Sequence, residues 1–219
     1  MQPQPTFFNH FAPIERHRHH LPHWDQGTVW QIVTWRLADS LPAGKLAEWN
    51  DERDAWLRRH PEPWDATEER EYRRLFHGRL DDWLDAGHGA CVLRDPHCAG
   101  IVADAFRHFD EARYLLASFV VMPNHVHVML APLNGFQIDT IVHSWKSYTA
   151  TMINRHLNRR GQLWQEDYWD RIIRDHAHYA NCVRYIHDNP AKARLSPGEY
   201  ILHMKDIFAE QRDCLASSP

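Results

Sequence analysis

Two histidines separated by one residue, His125-Val126-His127, sit inside a run that reads as a β-strand. Side chains alternate faces along a strand, so both imidazoles share one face and Val126 takes the other. Such a pair is either two solvated histidines on an open sheet face or a bidentate site for a divalent cation. A second pair lies further on, in Tyr185-Ile-His-Asp-Asn189. On a helix, positions i and i+4 share a face. Tyr185 and Asn189 therefore present a phenol and an amide carbonyl side by side. The carbonyl suits Mg²⁺ or Mn²⁺ as a third ligand. A phenol beside such a metal can attack a phosphodiester. Other tyrosines lack that neighbour: Tyr148 has Met152 at i+4, Tyr168 has Ile172 and Tyr179 has Val183. The structural alternatives are a core aromatic for Tyr185 and a helix C-cap for Asn189.

The elements that must position these groups can be read from the chain. Residues 27–37 are rich in β-branched and aromatic residues and predict a strand. Helical spacing follows at about 45–60 and 66–86, around Pro61-Glu62-Pro63. These segments predict an exposed helical hairpin inserted at about 40–90. Asp95-Pro96 predicts an N-cap and first turn for a helix to about Phe109. Tyr114–Met122 and His125–Ala131 predict two strands joined at Pro123-Asn124. An amphipathic helix is expected over 136–157, and another from about 175 to Asp188, where Pro190 predicts its end. The pattern is α+β: a small antiparallel sheet with packed helices. We divide the chain into an N-terminal arm (1–26), a main domain (27–200) and a C-terminal tail (201–219). The arm, with Arg16-His-Arg-His-His20, is expected to be unstructured unless it touches a ligand.

Composition narrows the function classes. The chain has 219 residues, 43% hydrophobic and 25% charged, which fits an ordinary folded domain. Its 18 His and 10 Trp are unusual. The run 114–138 is too broken by Pro and polar groups to cross a bilayer, so no membrane role is expected. The first twenty residues lack the cationic start and apolar run of a secretory leader. Four scattered Cys read as reduced thiols in a cytoplasmic protein. The net charge of −4 is uneven: residues 36–112 hold 11 basic and 17 acidic groups, whereas 113–219 hold 12 and 10. A polyanion would therefore meet the C-terminal half. Lys146, Arg155, Arg159 and Arg160 suit phosphate contacts. Trp164, Arg171 and Arg174, with Tyr168, mix stacking and charge as single-strand binding does. For each cation a solvated face is the alternative, and for Trp164 a place in the core.

Taken together, VVMPNHVHVMLAP, KSYTATMINRHLNRRGQLWQEDYWDRIIRD and YIHDNPAKARL resemble the REP-associated tyrosine transposases, single-tyrosine HUH nucleases related to small insertion-sequence transposases. The resemblance covers about residues 27–37 and 113–195. It implies a ferredoxin- or RRM-like palm and a metal-dependent nickase and strand transferase acting on single-stranded DNA with hairpin-forming, REP-like repeats. It implies a covalent 5′-phosphotyrosine on Tyr185, with His125, His127 and Asn189 holding Mg²⁺ or Mn²⁺. Relatives outside this branch carry Gln where Asn189 stands, and smaller members lack the acidic insert. A monomer suffices if the site is completed within one chain; a swapped tyrosine helix requires a homodimer. Cupins also carry His-x-His but want a nearby Glu, and 128–135 holds no acid. A metal-dependent barrel needs about 250 residues and parallel strands. A catalytically inactive protein that binds structured DNA or RNA, and an interaction module built on the insert, are the remaining readings.

Overall fold

The computed structural model describes residues 5–9, 11–12, 15–18, 22–61, 64–205 and 207. Five strands form one antiparallel sheet: β3 (Gln31–Arg36), β4 (Tyr114–Val121), β5 (His125–Pro132), β6 (Trp169–Ile172) and β7 (Ile201–Met204), in the order β6-β3-β5-β4-β7. The helices are α1 (Ala43–Arg59), α2 (Ala66–Tyr72), α3 (Arg79–Asp85), α4 (Pro96–His108), α5 (Ile138–His156) and α6 (His176–Lys192). A π-helical stretch, Arg73–Gly78, joins α2 to α3. The order β3-α4-β4-β5-α5-β6 is the split β-α-β-β-α-β pattern. The expected α+β class is therefore the observed one.

Alternation along β5 builds two cores. Val126, Val128 and Leu130 pack with α4 and α5 on one face, with Phe106, Trp145 and Ile153. Met129 and Ala131 pack on the other, with Tyr179, Cys182 and Ile186 of α6. A bulge in β4 between Leu116 and Ser118 shifts the phase. Tyr114 and Leu116 therefore share the first core with Phe119 and Val121. Asp95 caps α4 by accepting from the His97 amide at 2.8 Å, with Pro96 at the first helical position.

Four expectations change. The 201–219 tail begins as a strand, because Ile201–Met204 pairs with the open edge of β4; residues 206 and 208–219 lie outside the described set. Part of the arm is ordered: β1 (Glu15–Arg18) pairs with β2 (Pro22–Asp25). Pro190 does not end the last helix. Its missing N–H removes one backbone bond, yet Pro190 and Asn189 are buried and the helix runs on to Lys192. There Arg194, at φ 57°, closes it, with the Leu195 amide donating to Pro190 and the Arg194 amide to Ala191. Asn189 is therefore not a cap. Finally, the inserted helices are not merely an exposed hairpin. Trp49, Trp56 and Phe76 form one cluster against Trp169 of β6, and Leu41, Leu80 and Leu84 form a second. The insert is thus pinned to the sheet on the α6 side.

Candidate active site at the β5–α6 junction

His125 and His127 are 1% and 0% exposed, which excludes the solvated alternative. Their rings lie edge to face with centroids 4.9 Å apart. Each ring is oriented through Nδ1. His127 Nδ1 meets Thr34 Oγ1 at 2.7 Å, because register places Thr34 opposite it on β3. His125 Nδ1 meets Asn124 Oδ1 at 2.8 Å. Asn124 is itself held by the insert, its amide donating to the carbonyls of Leu84 and His88 at 3.1 and 3.3 Å. Burial pushes His125 down to about 3, and burial with His125 nearby pushes His127 down as well. Both imidazoles are neutral at physiological pH, the form that ligates.

Helix α6 brings Tyr185 to this pair. Its hydroxyl lies 3.5 Å from His127 Nε2, with ring centroids 5.0 Å apart. Asn189, 2% exposed and one turn further on the same helix face, lies beside the same hydroxyl, and its side chain pulls the phenol down. One copy of the chain thus gathers His125, His127, Tyr185 and Asn189. A further group comes from α3: Tyr185 donates to Asp81 Oδ2 at 2.9 Å. Burial, and then the Asp81 charge, push the phenol up. Burial also pushes Asp81 up to about 6, against the pull of Tyr185 and Lys192. Lys192, one turn beyond Asn189, reaches Asp82 and Asp85 at 3.3 and 3.2 Å and ties α6 to α3.

The donor set suits a divalent cation. His125 Nε2 is buried without a hydrogen-bond partner, and an orphaned imidazole lone pair in such a place calls for a ligand. Two neutral imidazoles and an amide carbonyl favour Mn²⁺ over the harder Mg²⁺. A second ligand-type group, Asp95, Cys98 and His156, lies on the opposite face of the sheet. Burial pushes the Cys98 thiol up to about 11, so it stays protonated, and Asp95 is engaged as a cap.

The cations and aromatics singled out for nucleic acid fare unequally. Trp164 is a core residue, 4% exposed, its indole donating to Thr149 at 2.9 Å and meeting Trp35 edge to face. Tyr168 is buried too. Both carry large apolar surfaces that complete the α5 core. Lys146 donates to the Glu166 and Asp167 carbonyls at 2.6 and 3.4 Å, a tether within the fold. Burial pulls it down to about 8. Arg155 and Arg160 are exposed. Arg159 donates to Gln162. Arg155 lies in the last turn of α5, and Arg159 and Arg160 just after it, in the layer opposite the histidines. Arg171 lies on β6 and reaches Cys182 of α6, on the histidine side, and Arg174 is exposed just beyond.

Residue reading missed Thr34, Asn124, Asp81 and Arg36. Arg36 pairs with His125 across β3–β5 and is 6% exposed; burial pulls it to about 10, so it remains a cation at neutral pH. Only Asn124, adjacent to the histidine pair in its turn, carried a sequence signal. Cys91, Cys98 and Cys182 are buried and none forms a disulfide, and Cys214 lies outside the described residues. Among the described residues no helix is long and apolar enough to cross a membrane.

No curated protein matches the chain. A solved structure described as a REP-associated tyrosine transposase bound to a REP hairpin is similar over 94% of this chain and 88% of its own, at 13% identity and a TM-score of 0.42. The family model of IS200-like transposases matches residues 98–189. That stretch runs from α4 through the histidine strand to Asn189, so the part of the chain carrying His125, His127, Tyr185 and Asn189 is the part similar to the IS200-like transposases.

Proposed function

We propose that this protein is a metal-dependent endonuclease and strand transferase for single-stranded DNA, with hairpin-forming repeats as its substrate and Tyr185 as its nucleophile. Its membership among transposase-like DNA-processing proteins rests on the family match over 98–189. The observation that carries the finer reading is the meeting of the Tyr185 hydroxyl with His127 Nε2 at 3.5 Å and with Asn189. The hairpin substrate follows from the motif resemblance.

In this reading Tyr185 Oη attacks the scissile phosphorus. A 5′-phosphotyrosine forms and the 3′-oxygen leaves as a hydroxyl. The same hydroxyl, or one from another strand, then attacks the phosphotyrosine and reseals the chain. Covalent storage of the phosphodiester makes a nucleotide cofactor unnecessary. His125, His127 and Asn189 would hold Mn²⁺ or Mg²⁺, which when bound neutralises phosphate oxygens as a Lewis acid. Thr34 and Asn124 keep each imidazole turned with Nδ1 inward. Asn189 also holds the phenol in place. Arg171 and Arg174 offer phosphate contacts on the site's side, and Arg155, Arg159 and Arg160 offer them on the far layer. One copy supplies every proposed site group.

The test is a labelled hairpin-bearing single strand incubated with Mn²⁺ and resolved on a denaturing gel. The wild type is expected to give a protein-linked fragment. Tyr185→Phe should bind the strand and give none. Binding that survives chelation with no scission by the wild type identifies a non-catalytic binding protein instead.

A further inference from the structure

The acidic insert has no counterpart in the motifs that suggested a nuclease, yet it reaches the reacting atom. Asp81, on the first turn of α3, accepts the Tyr185 hydroxyl hydrogen at 2.9 Å. Its place is fixed from both sides. Leu80 and Leu84, each 1% exposed, anchor α3 in the insert core. Lys192 binds Asp82 and Asp85 and fastens α3 to the tyrosine helix. Resting on the nuclease reading above, we propose that Asp81 is a catalytic residue: the general base that removes the phenolic proton as Tyr185 attacks, and the acid that returns it when the strand is resealed.

The step balances. The Tyr185 Oη–phosphorus bond forms as the phosphorus–O3′ bond breaks. The phenolic proton passes to Asp81 Oδ2, and the departing 3′-oxygen takes a proton from solvent water. In the reverse step a 3′-hydroxyl attacks phosphorus and loses its proton to solvent. The leaving phenolate then recovers the proton held by Asp81. No redox partner or nucleotide is consumed. The groups facing Asp81 are Tyr185 and Lys192 from α6, and Asp82 and Asp85 on its own helix. A base is needed here because a neutral phenol is a weak nucleophile until its proton is removed, and Asp81 Oδ2 is the carboxylate oxygen that already accepts that hydrogen. A carboxylate lifted toward neutrality is better matched to the transfer than an ordinary aspartate.

The experiment measures the single-turnover rate of the protein-linked fragment from the hairpin strand with Mn²⁺. It compares wild type, Asp81→Asn and Asp81→Glu, with strand affinity measured in parallel. Asparagine keeps a side-chain oxygen to accept the hydroxyl hydrogen but cannot take the proton. D81N is expected to bind normally and to react about 10²- to 10⁴-fold more slowly, the usual span of general-base catalysis. D81E, which restores a carboxylate, is expected to recover most of that loss. A D81N rate equal to wild type overturns the assignment, leaving Asp81 as a holder of the ring. A faster D81N also overturns it and makes the contact an inhibitory latch. D81E as slow as D81N overturns it even if D81N binds the strand poorly. A wild type that binds the hairpin and forms no adduct removes the nuclease reading, and this assignment with it. An active wild type with an unimpaired D81N removes the assignment alone.

Discussion

The hydroxyl of Tyr185 lies 2.9 Å from a carboxylate oxygen of Asp81, although 104 residues separate the two in the chain. The same hydroxyl is 3.5 Å from His127. One phenol thus joins a sheet and a helix to a segment inserted between β3 and α4. The insert closes on the site through Asp81, and through the Leu84 and His88 carbonyls that hold Asn124.

Thr34 is the partner that fixes His127, through a 2.7 Å contact to Nδ1 of an imidazole that is itself fully buried. Thr34→Val keeps the side-chain shape and removes the oxygen. The ring then loses its orienting bond, and Mn²⁺ affinity is expected to fall about 10- to 100-fold, as for other groups that orient a metal-binding imidazole. Calorimetric titration of Mn²⁺ into the two proteins checks this. Equal affinities would show that packing alone orients the ring.

The insert returns to the domain through Gly89, at φ 87°. A Cβ there would sit 2.4 Å from the Asp39 carbonyl oxygen, while Asp39 Oδ2 accepts from the Ala90 amide. Gly89→Ala therefore combines an unfavourable backbone region with a backbone clash, and roughly 1–3 kcal/mol of stability is expected to be lost. Chemical denaturation gives the number, and a midpoint equal to wild type contradicts the close approach. Hydrogen exchange at 79–90 should accelerate in the variant, because this anchor is where the insert's last turn is tied down.

Strands β3, β4 and β5 and the two histidines were legible because periodicity and a two-residue turn are local properties, whereas the four-residue edge strands β6 and β7 are too short to show a period. His125-Val126-His127 had to share a face with its neighbour-but-one, and Tyr185 with Asn189. What local pattern could not supply was depth. Val126 and both histidines read as an in-and-out strand, yet every residue of β5 is buried, since α6 covers the second face. Trp164 carried the right chemistry for stacking on bases, but its indole turns inward to Thr149. The helix past Pro190 was missed because a ring that removes one hydrogen bond is tolerated where burial of Asn189 and Pro190 offsets it. Asp81 left no trace: one acid among 17 in an acidic stretch acquires meaning only when the insert folds back over α6.

The two cores separate stability from chemistry. Phe106 is fully buried on the α4–α5 face, edge to face with Trp35, Phe119 and Trp145 at 5.5, 5.1 and 4.8 Å. Phe106→Ala is expected to cost about 3–5 kcal/mol through lost burial and a residual cavity. Its protein that remains folded should bind Mn²⁺ as the wild type does, because Thr34, Asn124 and α6 belong to the other face. Denaturation midpoints and Mn²⁺ titration test both halves, and a loss of affinity in the folded variant would show that the layers are coupled.

Asp81 also makes stability depend on pH, with a sign opposite to that of most carboxylates. Burial raises it from 3.8 to about 6 in the folded chain. Between those values the folded state binds more protons than the unfolded one, so this group's contribution falls as pH rises. It is at its most favourable below about pH 4 and is lost by about pH 7, a change of about 3 kcal/mol at roughly 1.4 kcal/mol per unit. Asp81→Asn removes the titration while keeping the shape. The stability of D81N relative to wild type should therefore climb from pH 4 to pH 7, as followed by urea denaturation at each pH. A difference that stays flat across that window would mean that Asp81 is not desolvated in the folded protein, and that the insert does not close over Tyr185 in solution.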